Sequence, residues 1–296
     1  MFDFSNSTLA VTGAAGPFGR TVIETLLSRG AKKIVAITRT PEKLNDLAAK
    51  GVTVRAGDFD DPKSLDAAFA GVERLLIVST DKLGAPGARL AQHVAAVDAA
   101  KRAGVEHILY TSIPSPYPSK EAQVADDHYW TEQAIIATGA NWTFLRNSLY
   151  MDLIVGQLPQ LAETGQLIHA AGDGRRNIVS REDCAIAAAG ALLTADGKSI
   201  ENITGTEPLT LDEIAATISQ IMGKTIAAIA IPGSALIDGM IKHGLPQNLA
   251  TTFAAFDTDT ARGYFALTGD AVARLGGKSP TTLADFLAAQ QLAAAA

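Results

Sequence analysis

The stretch Thr8-Leu-Ala-Val-Thr-Gly-Ala-Ala-Gly-Pro-Phe-Gly19 decides the fold. Its first five residues form a short, β-prone apolar run. Glycines follow at 13, 16 and 19. From Phe18 to Arg29 the chain then places Val22, Ile23, Leu26 and Leu27 on one helical face,. A second apolar run, KIVAIT at 33–38, comes next. Strand, glycine turn, helix and strand in this order are the context in which a glycine triplet binds a dinucleotide pyrophosphate. Gly13 permits the tight turn, Gly16 lets main-chain N–H groups approach phosphate, and Gly19 lets the helix pack closely. Thr12, Ala15, Pro17 and Phe18 complete the predicted cradle, and the helix N-terminus favours the anion.

Working outward, the alternation continues. Pro41 opens a helix, and VTVRA at 52–56 is a third strand. Pro62 starts another helix, and RLLIVS at 74–79 is the fourth strand. A long helix over 86–103 closes at Gly104, and HILYTS at 107–112 is the fifth strand. A helix over about 121–138 leads to a sixth, WTFLR at 142–146. Near-continuous apolar strands separated by helices predict a parallel sheet covered on both faces. Right-handed crossovers then give a doubly wound α/β (Rossmann) fold. The second half is less regular. It offers a turn at 172–174, a helix start at 180–183 and a strand at 199–204. A helix over 209–222 is capped by Thr210 with Glu213, and a further strand is predicted at 226–231,. Residues 1–150 are therefore predicted to form the dinucleotide domain. Residues 151–296 are predicted to form a smaller substrate lobe, partly interleaved with the sheet.

The bulk properties narrow the class. The chain has 296 residues, 47% of them hydrophobic, and a net charge of −6. That acidity gives no reason to expect nucleic-acid or anionic-membrane partners. No run approaches the roughly 20 apolar residues that span a bilayer. The N-terminal residues have neither a basic region nor a long apolar one, so no secretory signal is predicted. The single cysteine, Cys184, excludes an intrachain disulfide and reads as a small core residue,. Together these predict a cytoplasmic protein, monomeric or homodimeric, whose partner is a small molecule. No His/Cys/Asp cluster has metal-ligand spacing, so no metal is expected.

The cofactor is read from the end of the second strand. An NAD site places a carboxylate there for the ribose 2′-hydroxyl. This chain has Thr38-Arg39-Thr40. A guanidinium holds a 2′-phosphate and stacks on adenine, which predicts NADP(H); the other reading of Arg39 is a solvated strand-end cation. Asp58-Phe59, after the third strand, lies at the adenine. Asp58 reads equally as an acceptor from the adenine amino group or as a turn carboxylate. Ser79-Thr80 ends the fourth strand, where the chain passes the nicotinamide ribose.

The catalytic half departs from the common short-chain dehydrogenase pattern, Tyr-x-x-x-Lys. The residues four after the five tyrosines are Pro114, Glu121, Gln133, Ile154 and Thr268, and none is lysine. His128, in Asp126-Asp127-His128, has two readings. One is a proton donor with a pKa raised by its acidic neighbours; the other is a surface histidine at a helix start. Glu132 and Thr131 either orient neighbours in the cleft or face solvent, with solvent the preferred reading. His93, inside a helix, reads as structural.

A family resemblance now becomes specific. TGAAGPFG at 12–19, ITRTPEKL at 37–44, DHYWTEQAI at 127–135 and WTFLRNSLY at 142–150 resemble the NmrA-like, atypical short-chain dehydrogenase/reductases. The closest likeness is to the type 2 quinone oxidoreductases and triphenylmethane reductases. The resemblance implies NADPH-dependent reduction of quinones or cationic dyes. It makes Arg39 the 2′-phosphate ligand and places Asn147, Ser148 and Tyr150 beside the nicotinamide. It also implies an acceptor site near Asn147, Tyr150 and His128. Some members bind NADP without turnover as redox-sensing regulators, and a reductase recruited to another acceptor, such as an aromatic ketone, is a third possibility. The missing lysine agrees with a reductase of quinones or dyes, because such acceptors are strong hydride acceptors that need little general acid.

Overall fold

The computed structural model describes residues 3–120 and 123–295, with side-chain surroundings as far as residue 290. The first half alternates as the apolar runs require. β1 (Thr8–Val11), α1 (Pro17–Ser28), β2 (Lys33–Thr38), α2 (Asn45–Ala48), β3 (Thr53–Ala56) and α3 (Pro62–Phe69) come first. β4 (Arg74–Ile77), α4 (Ala88–Arg102), β5 (His107–Ser112), α5 (Gln123–Ile136) and β6 (Asn141–Asn147) follow. Then come α6 (Asp152–Val155), α7 (Leu158–Thr164), β7 (Gln166–His169), α8 (Arg181–Thr194), β8 (Lys198–Ile203), α9 (Leu211–Met222) and β9 (Ala227–Ala230). The chain closes with α10 (Gly233–Lys242), α11 (Gln247–Ala261), α12 (Ala271–Gly276) and α13 (Leu283–Ala295).

Seven strands form one parallel sheet in the order β3-β2-β1-β4-β5-β6-β8. The order reverses between β1 and β4, where a doubly wound sheet opens its ligand crevice. One core cluster lies under α1 and the alanine-rich α8. A second lies under α3, α4 and α5. A third, around Phe265, Ile214 and Ile218, draws on residues from Ile113 to Leu287. Cys184 is buried in the first, and burial raises its thiol pKa. The chain leaves the sheet after β6 for α6, α7 and β7, returns to it through α8 and β8, and then adds α9 and β9 to the third cluster.

Several sequence expectations need correction. The helix predicted to start at Pro86 starts at Ala88, because Gly87 is left-handed at φ 76°. After Pro41 the chain makes a 3-10 turn, Pro41–Leu44, and only a short α2. The predicted helix over 121–138 is seen as α5; positions 121 and 122 lie outside the described residues. β7 was not predicted; it pairs in parallel with β9 as a separate two-stranded ribbon.

Arg74, on β4, locks the two halves of the sheet layer. Its buried guanidinium donates to the last carbonyls of α8, Leu192 at 2.7 Å, Ala191 at 3.3 Å and Ala195 at 2.6 Å. It also donates to His107 Nδ1 at 3.2 Å. His107 must therefore carry its proton on Nε2, which donates to Thr143 Oγ1 at 2.9 Å,. Burial, then the Arg74 charge, pushes the His107 pKa down to about 4.

Candidate functional site

The crevice begins at the turn between β1 and α1. Gly13 sits at φ 62°. A Cβ at Gly19 would lie 2.5 Å from the Gly13 carbonyl oxygen and 2.9 Å from Ala14 Cα, so no larger residue fits without displacing the turn. At Gly16 the same contact would be 3.3 Å. Gly16 caps α1 without a side chain, and Pro17 takes the first helical position, where its missing N–H costs nothing,. The first-turn N–H groups of Phe18 and Gly19 have no partner within the helix and point to where an anion sits. Ala15 is partly buried at the rim. Two side chains of the predicted cradle turn inward. The Phe18 side chain packs into the core, leaving only its main chain for a ligand. Thr12 is buried and accepts from the Val78 N–H at 2.9 Å. It ties the end of β1 to the end of β4.

Arg39 stands exposed at the end of β2. Asp58 has a turn role: its Oδ1 accepts from the Asp60 N–H at 3.0 Å. Its neighbour Phe59 packs against the second core cluster. Beyond β4, the Ser79 N–H donates to Thr111 Oγ1 at 2.8 Å. Thr80 is gripped at both main-chain groups. Its N–H donates to His93 Nε2 at 3.0 Å, and its carbonyl accepts from Arg89 Nε at 2.6 Å.

At the end of β6, Asn147 Nδ2 donates to the Tyr150 hydroxyl at 3.1 Å. Asn147 Oδ1 and Ser148 Oγ are buried and have no partner among the described residues. Two polar atoms in this state side by side are able to receive a polar ligand group. Burial, the largest influence, holds the Tyr150 hydroxyl protonated far above its ordinary range. Because its oxygen already accepts from Asn147, its proton is free to be donated.

His128 overturns both sequence readings. It is 4% exposed and lies inside the protein. Arg89 Nη2 donates to its Nε2 at 2.9 Å, so Nδ1 carries the proton and donates to the Tyr110 hydroxyl at 2.7 Å,. Burial first, then the charge of Arg89, lowers its pKa well below the ordinary range. The acidic neighbours do not raise it: Asp126 accepts from the Ser119 N–H, and Asp127 pairs with Arg89 at 3.4 Å. Glu132, preferred as solvent-facing, is instead buried. It pairs with Arg146 at 2.7 Å and accepts from Ser112 Oγ at 2.6 Å. His128 and Glu132 stand four apart on α5, the spacing of Tyr-x-x-x-Lys, but both are engaged internally.

Sequence reasoning missed Arg89 and gave Tyr110 no role. A signal existed: Arg89 and His93 on α4, and Asp127 and Thr131 on α5, are each four apart and so share a helix face. His93 Nδ1 donates to Thr131 Oγ1 at 3.0 Å across that contact. A side cleft of about 1000 Å³ opens between the starts of α4, α5 and α11, with Leu90, Trp130 and Asn248 among its walls. Asn147, Tyr150 and His128 do not line it.

This geometry defines a class, the doubly wound dinucleotide-binding proteins. Within it, the profile of the NmrA-like family matches residues 5–287, and the chain belongs to that family. It is 36% identical over 280 residues to quinone oxidoreductase 2 of Escherichia coli (strain K12), covering 94% of this chain and 96% of that one. It is 27% identical to the NAD(P)H azoreductase of Xenophilus azovorans, covering 96% and 98%. Among solved structures, the Citrobacter sp. triphenylmethane reductase complexed with NADP(H) superposes with a TM-score of 0.85 at 36% identity, covering 95% and 99%. The Escherichia coli NADPH-dependent quinone oxidoreductase complexed with NADPH gives 0.88 at 34% identity, covering 96% and 99%.

Proposed function

We propose that this protein is an NADPH-dependent reductase that delivers a hydride to quinones and similar conjugated acceptors, including cationic dyes. The observation that carries the reading is the pairing of a glycine cradle too tight for any Cβ at Gly19 with an exposed Arg39 at the end of β2. Its relatives and structural neighbours of this name and cofactor support it.

The residues present fit the cofactor. Gly13, Gly16 and the N–H groups of Phe18 and Gly19 would hold the pyrophosphate, and Arg39 the 2′-phosphate. Asn147 Oδ1 and Ser148 Oγ supply buried polar atoms for the nicotinamide end. The bound cofactor supplies the hydride. The protein's own task is positioning and exclusion of water. Thr80, held at both main-chain groups, fixes one wall of the crevice, and Tyr150 presents a hydroxyl proton from the other. His128 is assigned to holding Arg89 and Tyr110 in place and not to proton transfer. The same reading makes the partner a small-molecule acceptor and the protein a cytoplasmic monomer or homodimer. Among the described residues no helix is long and apolar enough to cross a membrane.

The test is oxidation of NADPH in the presence of quinones, triphenylmethane dyes and aromatic ketones. Turnover with quinones or dyes is expected. Tight NADP binding with no turnover on any acceptor overturns the enzyme reading in favour of a redox-sensing binder. Arg39→Ala is expected to weaken NADPH roughly 10- to 100-fold, the worth of a charge-assisted phosphate contact. NADH binding should be little changed; an equal loss for both coenzymes removes Arg39 from the 2′-phosphate.

A further inference from the structure

The adenosine end of the crevice carries an ion pair whose place is informative. Asp60 lies in the loop after β3 and Lys82 in the loop after β4. Lys82 Nζ donates to both carboxylate oxygens of Asp60, at 2.7 and 2.9 Å. Gln92 Nε2, from α4, donates to Asp60 Oδ2 at 2.9 Å. β3 and β4 are not neighbours, since β2 and β1 stand between them. The pair therefore joins the loops that flank the ends of β2 and β1, where the adenosine half of a dinucleotide lies in this fold.

Stability is a poor reason for this bridge. Its side chains are 41% and 48% exposed, and pairs of that kind contribute little to folding,. Its charges matter more for what lies beside them. Arg39 follows Thr38, which pairs with Ala56 on β3, so it stands at the same end of the sheet as the loop that carries Asp60, and its charge is the least of the influences that lower the Asp60 pKa. Three charges thus share the rim: Arg39 positive, Asp60 negative and Lys82 positive. An unmasked Asp60 would compete with a 2′-phosphate for Arg39 and repel that phosphate directly. It would leave a 2′-hydroxyl unharmed, since a carboxylate at the ribose is the device of NAD sites. With Lys82 and Gln92 upon it, the carboxylate is neutralised, and Arg39 remains open.

We propose that Lys82 is a specificity-determining residue for NADPH over NADH, acting through Asp60 and not by touching the phosphate. The proposal rests on the NADPH reading above. It concerns binding alone, so it is tested without any acceptor. The full-length protein is titrated with NADPH and with NADH by nicotinamide fluorescence at low ionic strength. The variants are Lys82→Met, Asp60→Asn and the double substitution.

Lys82→Met is expected to weaken NADPH about fivefold and leave NADH within about twofold, an effect that shrinks as salt is added. Asp60→Asn should bind NADPH at least as tightly as the unaltered protein. The double variant is the deciding one. The pair has zero net charge in the original protein and in the double variant, so NADPH affinity should return to within about twofold. A double variant as weak as Lys82→Met shows that Lys82 contacts the phosphate itself and overturns the proposal. So does an equal loss for both coenzymes, or no change in Lys82→Met. An unaltered protein with no preference for NADPH overturns the cofactor reading, and this proposal with it. A preference that Lys82→Met leaves undiminished overturns this proposal alone. Unchanged thermal midpoints establish that the variants are folded.

Discussion

The adenosine end of the crevice and the polar layer between α4, β5 and α5 are built on opposite principles. The first contains little that resembles chemistry. It is a turn of glycines, some N–H groups and one exposed guanidinium. The second brings Arg89, His93, Tyr110, Asp127 and His128 within hydrogen-bond reach of one another. It holds histidine, tyrosine, aspartate and arginine, all residue types that catalysis uses. Yet each group there is occupied by another and sealed from water, whereas the plain groups of the crevice are free. Availability, more than residue type, separates a binding surface from a scaffold. Burial also keeps both histidines of the layer neutral beside a permanent cation.

If the layer is scaffold, damage to it should appear in folding. Asp127→Asn leaves Arg89 buried without its counter-charge. A broken buried pair costs about 3–5 kcal/mol. The expected result is a large fall in the urea midpoint, with NADPH preference over NADH retained in the folded fraction. A variant of full stability that has lost turnover would place the layer in the chemistry and break the contrast.

Acid should expose the same dependence. The unfolded chain protonates His107 near its ordinary pKa of 6.5, while the folded chain holds it to about 4. Between these values the unfolded state binds the extra proton, so stability is full above pH 6.5 and falls as the pH drops toward 4. For His107 alone the loss is about 3 kcal/mol. His93 and His128, lowered in the same direction, add to it. Urea unfolding from about pH 7.5 to about pH 4.5 measures the slope, and His107→Gln should flatten it. A slope that the substitution leaves unchanged would assign the acid sensitivity to other groups.

At the crevice, by contrast, damage should appear in binding. Gly19→Ala forces a Cβ against the Gly13 carbonyl and displaces the turn. Losing the close approach of the turn to the pyrophosphate is expected to cost roughly tenfold to a hundredfold in affinity, the worth of a charge-assisted hydrogen bond. NADPH affinity by fluorescence titration is the measure. Affinity within about threefold of the original would show that the cradle yields, and that the glycine is not what shapes the site.

The two regions were not equally legible in the sequence. The crevice is local: Gly13, Gly16, Gly19 and Arg39 lie within two strands and one helix, so spacing alone assembles it. The polar layer is not local. His128 reads as a histidine among acids because Asp126 and Asp127 precede it, and it becomes a neutral core residue because Arg89 arrives from α4. Only the four-residue spacing shared by the two helices hinted at this. β7 escaped for a related reason: it has four residues, and its partner β9 lies far along the chain. The start of α4 was misplaced because Gly87 must be left-handed, a requirement that sequence periodicity does not show.

The smallest expected effect lies at the other end of the crevice, at Tyr150. Tyr150 packs against the core beside α8, and its hydroxyl accepts from Asn147. Tyr150→Phe removes one hydrogen-bond donor and leaves Asn147 Nδ2 unsatisfied. If the acceptor is a quinone, the product oxygen is a stabilised phenolate that solvent can protonate. The hydroxyl then contributes orientation only, and kcat should fall by less than about tenfold, below the roughly hundredfold at which positioned acid catalysis begins. Burial holds the tyrosine protonated throughout the neutral range, so the original and the variant should share a flat kcat profile from about pH 6 to about pH 9. A fall of about a thousandfold would make Tyr150 a general acid and direct the search toward ketones, whose alkoxide products need that proton.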